Sequence, residues 1–166
     1  MATTVNIPGI STLGGKFGYA VETTAGTKPT SFIWLPRCID ISEIALETAT
    51  IDVSAIEDEQ KRYAPGQQDT GGNWEVTFNF TNETIPLIKK MMTDSAAGLA
   101  GNKRTWFVVW FPNLDKAFYV IGQPGSKIPL PAIAVDEALT GAISIAIDEY
   151  RELEEAIEPQ LADDEL

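Results

Sequence analysis

The stretch RTWFVVWFPNLDKAFYVIG, residues 104–122, contains two apolar runs separated by the residues PNLD. A strand with one solvated face alternates apolar and polar residues, whereas the first run, WFVVWF after Thr105, is apolar at every position. Pro, Asn and Asp favour turns, so the stretch predicts a hairpin. Because both faces of its first strand are apolar, we expect a sheet that is covered on both sides or that meets another chain on one side.

The segments around this hairpin show the two-residue period of half-buried strands. In WEVTFNF, residues 74–80, large apolar side chains alternate with Glu75, Thr77 and Asn79. ATIDVSAI and GAISIAID repeat this alternation, and KFGYAVET near the start indicates another strand. CIDISEIAL is also strand-like, and a change of phase among its isoleucines predicts a bulge.

The segment NETIPLIKKMMTDSAAG has the features of a helix. Asn82 is the expected N-cap, and Gly98 is the expected C-cap. Between them, Ile85, Ile88 and Met92 form one apolar stripe at helical spacing. Such a stripe is typical of a helix that packs on a core.

These elements predict a mainly β chain: an antiparallel β-sandwich or barrel with one flanking α-helix and a long inter-strand loop. The predicted domain spans residues 1–150, with an N-terminal arm at about 1–15, the loop at about 54–73 and the helix at about 83–97. Residues 151–166 hold seven acidic side chains and one basic side chain. We therefore expect an acidic, flexible C-terminal tail.

Composition argues against several classes of function. The chain has no His, which rules out Ser–His–Asp and Cys–His catalysis and His-containing zinc sites. A net charge of −12 argues against a conventional nucleic-acid binder. We expect no catalytic residues, no cofactor and no metal. A carboxylate pair is the remaining enzymatic possibility, but 24 Asp and Glu residues provide no distinctive spacing.

Cysteine usage and hydropathy indicate where the chain functions. Cys38 is the only cysteine, so no internal disulfide can form, and the start lacks a secretory signal pattern. No apolar run approaches the length of a membrane span, so we expect no membrane insertion. The chain is expected to be made and kept in cytoplasm-like conditions.

The predicted loop SAIEDEQKRYAPGQQDTGGN is too long for an ordinary hairpin turn of two to five residues. Apart from Ile56 and Tyr63 it has few large apolar side chains, so it gains little by packing on its own domain. Pro65-Gly66 and Gly71-Gly72 mark two bends. Such a loop is available for contact with another surface.

The order of these segments resembles the major tail tube proteins of long-tailed bacteriophages, the siphophage-type tail tube family. The resemblance covers roughly residues 13–150, beginning with GYAVETTAGTKPTSFIWLP and the strand ATIDVS. Its most specific part is the loop and the strand after it, which contain Tyr63, Pro65, Gly66, Asp69, Gly71, Trp74, Val76 and Phe78.

The resemblance implies a β-sandwich subunit that forms hexameric rings, and rings that stack into an acidic-lined tube for DNA ejection. The implied partners are other copies of the chain, tape-measure, tail terminator and tail-tip or baseplate proteins, and double-stranded DNA in transient, non-specific passage. The implied location is the virion tail, after synthesis in the cytoplasm of the bacterial host.

Carried onto this chain, the resemblance makes the loop the contact between stacked rings. The implied stacking residues are Glu57, Asp58, Glu59, Lys61, Arg62, Tyr63, Pro65 and Asp69. The polar sides of several strands would then face the lumen. The implied lumen residues are Asp40, Ser42, Asp52, Glu75, Thr77, Asn79 and Ser144.

Two other functions remain open from the sequence. A monomeric β-barrel module could enclose a small apolar ligand, and a carbohydrate-active enzyme could use two carboxylates. The loop bears on the first alternative, because a lid over a pocket should carry inward-facing apolar residues. This loop is polar and carries both signs of charge, which favours contact with another polar surface.

Overall fold

The computed structural model describes residues 9–161, which form nine strands and one helix. The strands are β1 (Lys16–Val21), β2 (Ile33–Leu35), β3 (Cys38–Ile41), β4 (Glu47–Asp52), β5 (Tyr63–Asp69), β6 (Asn73–Asn79), β7 (Thr105–Trp110), β8 (Lys116–Pro124) and β9 (Thr140–Glu155). The helix α1 (Thr84–Ala100) lies between β6 and β7 in the chain.

Seven strands form one antiparallel sheet in the order β2-β1-β7-β8-β9-β6-β3, and β4 pairs only with β5 among the described strands. The predicted mainly β, antiparallel architecture with one helix is confirmed. The arrangement is sandwich-like: the two edge strands, β2 and β3, do not pair with each other in the described residues 9–161, so the sheet does not close into a barrel.

The predicted hairpin at residues 104–122 is present as β7 and β8, and both faces of β7 are covered. On one face, Phe107 belongs to a core cluster beneath α1, where it stacks on Phe17 with ring centroids 5.7 Å apart. Ile88, Met91 and Met92 of α1 are buried in the same cluster. We call this cluster the first core.

The other face of β7 carries a second core. Trp106 and Val108 pack there with Phe32 and Tyr119, and the partly buried Ile157 covers them. The prediction of a cover on both sides is therefore correct, although the second cover is the chain after β9, not another sheet.

The C-terminal part of the chain differs from the prediction. The expected boundary after Tyr150 falls inside β9, which pairs with β8 as far as Glu155. Residues 156–161 then return across the second core, so an acidic composition does not prevent this part of the tail from joining the fold. The remaining tail, 162–166, lies outside the described residues, as does most of the predicted N-terminal arm, 1–8.

Helix α1 lies close to its expected position, but its caps differ. The hydroxyl of Thr81, not the side chain of Asn82, accepts a hydrogen bond from the Thr84 backbone N–H at 3.1 Å. Gly98 lies inside the helix, and a Cβ there would come within 2.5 Å of Val21 Cγ1. This glycine permits close packing of α1 on β1, and the helix continues to Ala100.

The predicted loop at 54–73 is largely a hairpin. Residues 63–69 form β5 and pair with β4, with a register shift between Thr48 and Thr50. Pro65 and Gly66 suggested a bend, but an isolated hairpin tolerates Pro because the outer edge of each strand needs no partner. The expectation of a half-buried β4 is wrong for the single chain, since all six of its residues are exposed.

Candidate assembly surfaces

The β4–β5 hairpin projects from the sheet, and its tip is internally ordered. The hydroxyl oxygen of Ser54 accepts a hydrogen bond from the Arg62 backbone N–H at 2.7 Å. Asp58 accepts from the Ala55 backbone N–H at 2.8 Å, and Arg62 Nε lies 3.5 Å from Asp58 Oδ1. We call residues 47–69 the projecting arm.

The arm exposes apolar side chains that its own domain does not cover. Ile51 and Val53 are each 54% exposed, Tyr63 is 56% exposed and Ile56 is fully exposed. Val53 directly follows β4 and lies on the same side of the chain as Ile51, because alternate residues of an extended chain point the same way. A two-stranded hairpin is at best marginally stable alone.

The structure places all eight predicted stacking residues on this arm. Glu57, Asp58, Glu59, Lys61 and Arg62 lie in its tip, and Tyr63, Pro65 and Asp69 lie on β5. Asp69 ends the arm: its carboxylate accepts a hydrogen bond from the Gly71 backbone N–H at 2.9 Å. Gly71 and Gly72 follow with positive φ angles of 85° and 76°, and the chain then turns into β6.

Most of the predicted lumen residues lie together on the opposite side of the sheet from α1. Thr77 pairs with Asp40 of β3, and Glu75 pairs with Ser144 of β9. Directly paired residues in an antiparallel sheet point to the same face. We call this surface the polar sheet face; its members are Asp40, Glu75, Thr77, Asn79 and Ser144.

This face is polar because the same strands bury their other face. Trp74, Val76 and Phe78 alternate with the polar residues of β6 and are all buried in the first core. The alternation of apolar and polar residues in the sequence predicts that these polar side chains share one face of the sheet, and the strand register agrees with that prediction. The assignment of the face to a lumen stays a prediction.

The other two predicted lumen residues have different surroundings. Ser42 follows β3 and remains beside Glu75, whose backbone N–H donates to the Ser42 hydroxyl at 2.9 Å. Asp52 lies on the projecting arm, away from the polar sheet face. Hydrogen bonds from the backbone and hydroxyl of Ser54 lower the pKa of Asp52.

An ion-pair cluster adjoins the polar face on β9. Arg104 Nη1 lies 3.2 Å from Asp148 Oδ2 and 3.1 Å from Glu149 Oε2, and Arg151 also contacts Glu149 at 3.0 Å. Partial burial alone would raise the pKa of Glu149, but hydrogen bonds from Arg151 and Arg104 outweigh it and lower the pKa. No pattern in the sequence marks these residues, because their contacts depend on strand register.

Two apolar features were also missed. A groove of about 610 Å³ lies between the segment 38–44 and the first core, with Phe17, Trp74 and Val120 on its floor. The segment 125–139 between β8 and β9 exposes Leu130, Ile133 and Val135. The run IPLPAIAV signalled this exposed segment, whereas the groove had no signal in the sequence.

Within residues 9–161, no group of three or more His, Cys, Asp or Glu side chains is arranged to hold a metal ion. The same part of the chain contains no helix long and apolar enough to cross a membrane.

Comparison with known proteins gives a match in structure but none in sequence. No protein-family model and no curated protein sequence matches the chain. Its structure is similar to a chain in the cryo-EM structure of the anti-feeding prophage (AFP) baseplate, 6-fold symmetrised. The TM-score is 0.52 at 12% sequence identity, and the match covers 91% of this chain and 96% of that chain. The two chains therefore share a fold over nearly their whole lengths.

Proposed function

We propose that this protein is a structural subunit of a phage-tail-like assembly, in which copies of the chain form hexameric rings that stack into a tube. The proposed tube is a conduit for DNA ejection, and the subunit is built into the virion tail after synthesis in the host cytoplasm. The role requires no catalytic residue, cofactor or metal.

The projecting arm is the observation that carries the proposal. Its apolar residues Ile51, Val53 and Ile56 are exposed, and β4 and β5 have no further partner strand in residues 9–161. A single subunit therefore leaves the arm incomplete, whereas contact with an adjacent ring would bury its apolar face. Burial contributes about 25 cal/mol per Å² of apolar surface removed from water.

The likeness in fold supports the same proposal. The similar chain belongs to the baseplate of the anti-feeding prophage, in a structure with six-fold symmetry. By analogy, we propose contacts with tape-measure, tail terminator and tail-tip or baseplate proteins. The fold alone does not specify a function, so the arm and the polar face must account for the role in this chain.

The polar sheet face supports the conduit. Asp40 and Glu75 are exposed there beside small polar side chains, and no basic residue is paired with these positions of β3, β6 and β9. Negative potential repels DNA phosphates and reduces adhesion of the passing duplex. We propose that this face lines the lumen.

The test removes the apolar side chains of the arm. The variant carries Ile51→Ser, Val53→Ser and Ile56→Ser; the matched control carries Leu99→Ser, at a residue of α1 that is 56% exposed. Negative-stain microscopy of concentrated protein, with tail initiator proteins added where needed, should show tubes for the wild type and the control. The variant should stay folded by circular dichroism and form rings that do not stack.

Tubes of normal length from the arm variant would refute the stacking role. A wild-type chain that forms neither rings nor tubes under any of these conditions would refute the structural proposal itself. The alternative of a closed β-barrel that encloses a ligand has lost its basis, because the sheet is open between β2 and β3 in the described residues.

A further inference from the structure

The groove between the segment 38–44 and the first core leaves apolar side chains uncovered on one side of the subunit. Ile39 is 53% exposed there, and Ile44 and Phe118 are half-buried. Helix α1 covers another part of the first core, and none of the described residues that line the groove belongs to it. An uncovered apolar surface of this kind is typical of a contact site.

Strand β3, in one wall of the groove, also has unpaired backbone groups. It pairs with β6 and with no other strand in residues 9–161, so its outer edge can accept an extended chain. After β3, the Ser42 backbone N–H donates to Glu75 O at 2.9 Å, and Ser42 O accepts from the Trp74 indole N–H at 2.8 Å. These hydrogen bonds to β6 fix the wall in place.

The described chain begins close to this groove. It starts at Gly9, and Thr12 already lines the groove. A turn fixes the chain here: the Gly15 backbone N–H donates to Thr12 O at 3.0 Å, and a Cβ on Gly15 would lie 2.8 Å from Phe111 Cε1. The chain from Gly9 to Thr12 spans at most about 11 Å, so the residues before Gly9 start near the groove.

The residues that precede Gly9, MATTVNIP, have a sequence that suits an extended chain on an apolar floor. Thr3, Thr4, Val5 and Ile7 are β-branched, and such residues favour strands. In an extended chain the side chains of Val5 and Ile7 would point to one side, because they are two residues apart. Residues 1–8 contain no charged side chain that the groove would have to bury.

The length of residues 1–8 is sufficient to reach the groove and to continue along it. Eight extended residues span about 26 Å, at about 3.3 Å per residue. The distance from Gly9 to the groove uses at most about 11 Å of this span, which leaves about 15 Å for contact with the wall. That length corresponds to about four or five residues of the segment 38–44.

Charge and connectivity favour residues 1–8 over other occupants of the groove. The groove carries the exposed carboxylates of Asp40 and Glu43, which disfavour the acidic end of the chain, residues 162–166. Residues 1–8 are uncharged and are joined to the groove through residues 9–12. Such a short connection gives an effective concentration of roughly millimolar, which a segment of another molecule must exceed to compete.

We propose that residues 1–8 dock in the groove of their own subunit, with Val5 and Ile7 on its apolar floor and the backbone along the outer edge of β3. The docked segment completes the cover of the first core, as residues 156–161 cover the second core. It also occupies a strand edge that could otherwise pair with a wrong copy. The contact lies within one subunit, so it does not depend on the proposed stacking of rings.

Cys38 provides a probe of the groove, because it lines the groove and is the only cysteine of the chain. Its thiol is half-buried, and burial raises the pKa of Cys38 to about 11, so all proteins are compared at one pH. The probe is alkylation by N-ethylmaleimide, whose rate depends on access to the thiol. Hydrogen exchange of the backbone amides of residues 38–41 provides a second measurement, at the edge of β3.

The test compares full-length proteins diluted until sedimentation velocity shows single subunits. The variant carries Val5→Ser and Ile7→Ser, and the matched control carries Thr4→Ser and Asn6→Ser, on the other side of an extended chain. Alkylation of Cys38 and exchange at residues 38–41 should each be at least about fivefold faster in the variant than in the wild type. The control should match the wild type, and circular dichroism establishes that all three proteins fold.

Two outcomes would overturn the docked segment. The first is equal alkylation and equal exchange in the variant and the wild type. The second is protection of Cys38 that appears only when subunits assemble, which would assign the groove to a neighbouring subunit. Failure of the tail function is distinguishable, because protection in single subunits, with no tubes from the wild type, would support the docked segment and refute the tube.

Discussion

Glu22, which directly follows β1, is a buried carboxylate with 2% of its surface exposed. Its Oε1 accepts hydrogen bonds from the Arg104 backbone N–H at 2.8 Å and the Gly26 backbone N–H at 3.3 Å. Its Oε2 accepts from the Trp106 indole N–H at 3.0 Å. The carboxylate thus connects three parts of the chain around the second core.

The surroundings of Glu22 act on its pKa in opposite directions. Burial alone would raise the pKa, because it disfavours the charged form. Hydrogen bonds from Arg104, Trp106 and Gly26, together with the nearby guanidinium of Arg104, outweigh burial and lower it. Since the pKa is lower in the folded state, ionised Glu22 stabilises the fold above the unfolded pKa of about 4.3.

We predict that Glu22→Gln lowers the free energy of unfolding by about 1–3 kcal/mol at neutral pH, because an amide satisfies the three donors less well than a carboxylate. The wild type loses this contribution as the pH falls through the folded pKa, so the difference between the two proteins should shrink below about pH 4. Urea unfolding across pH measures both effects. Glu59→Gln, at an exposed position of the arm, is the control; an equal difference at neutral and acidic pH would contradict the prediction.

Among the elements, the chain after β9 illustrates how an acidic segment can be held in place. The Gln160 backbone N–H donates to Phe32 O at 3.0 Å, and Gln160 O accepts from the Trp34 N–H at 2.7 Å. Gly18 makes room for Pro159, since a Cβ on Gly18 would lie 2.7 Å from Pro159 Cβ. The segment therefore covers the second core and occupies the outer edge of β2.

Tyr119 adds a further connection to this segment. Its hydroxyl donates to Glu155 O at 2.6 Å and accepts from the Ile157 N–H at 3.0 Å. Burial raises the pKa of Tyr119 to about 12, so its hydroxyl stays protonated and keeps donating at physiological pH. Lys16 Nζ lies 2.7 Å from Glu158 and fixes the segment from the other side.

We predict that a chain ending at Glu155 is less stable than one ending at Leu161 by about 3 kcal/mol, because it loses several hydrogen bonds and the cover provided by Ile157. The free edge of β2 should also increase self-association at elevated temperature. Urea unfolding and light scattering measure the two effects. The variant Ile157→Ala in the chain ending at Leu161 separates side-chain burial from backbone pairing, and equal stability of the two truncated chains would contradict the prediction.

At the scale of the subunit, the exposed acidic side chains of the polar sheet face differ from the arginines of the ion-pair cluster, which are paired. The polar sheet face presents Asp40 and Glu75, whereas the basic residues of the ion-pair cluster, Arg104 and Arg151, are bound to carboxylates. Arg37 is exposed beside this face, where its backbone oxygen accepts a hydrogen bond from the Asn79 N–H at 2.9 Å. The exposed carboxylates of Asp40 and Glu75 would repel the phosphates of passing DNA.

We predict that tubes of the variant Glu75→Lys retain double-stranded DNA fragments, whereas wild-type tubes do not. The control Asp115→Lys changes the net charge equally, but at an exposed turn between β7 and β8. Co-sedimentation of DNA with tubes measures retention, which should decline as salt rises because phosphate contacts release counterions. Equal retention by variant and control would show that net charge, and not this face, governs the effect.

Elements with strong local patterns were predictable from the sequence. The alternation in β6, the doubly apolar β7 and the stripe on α1 each report the local environment of a single strand or helix. The candidate arm was also predictable, because its polar composition and length stand out. β5 was missed because Pro65 and Gly66 are unfavourable in central strands, although an isolated hairpin accommodates them.

The groove, the ion-pair cluster of Arg104 and the docked segment at 156–161 were not predictable. Each brings together residues far apart in the chain, and their contacts depend on strand order and register, which one-residue shifts would alter. The buried Glu22 is a further example, because two of its three hydrogen-bond donors, Arg104 and Trp106, lie in a segment far along the chain.

Amino-acid order alone thus determined that this chain is mainly β, that one helix packs on it and that a long polar segment at about 54–73 interrupts the strands. Only the tertiary structure decided that most of this loop is one strand of an exposed hairpin, and that an apolar groove lies between the segment 38–44 and the first core. The physical reason is that periodicity reports which side of an element is buried, whereas long-range pairing decides what buries it. For the projecting arm, the proposed function assigns that burial to other copies of the chain.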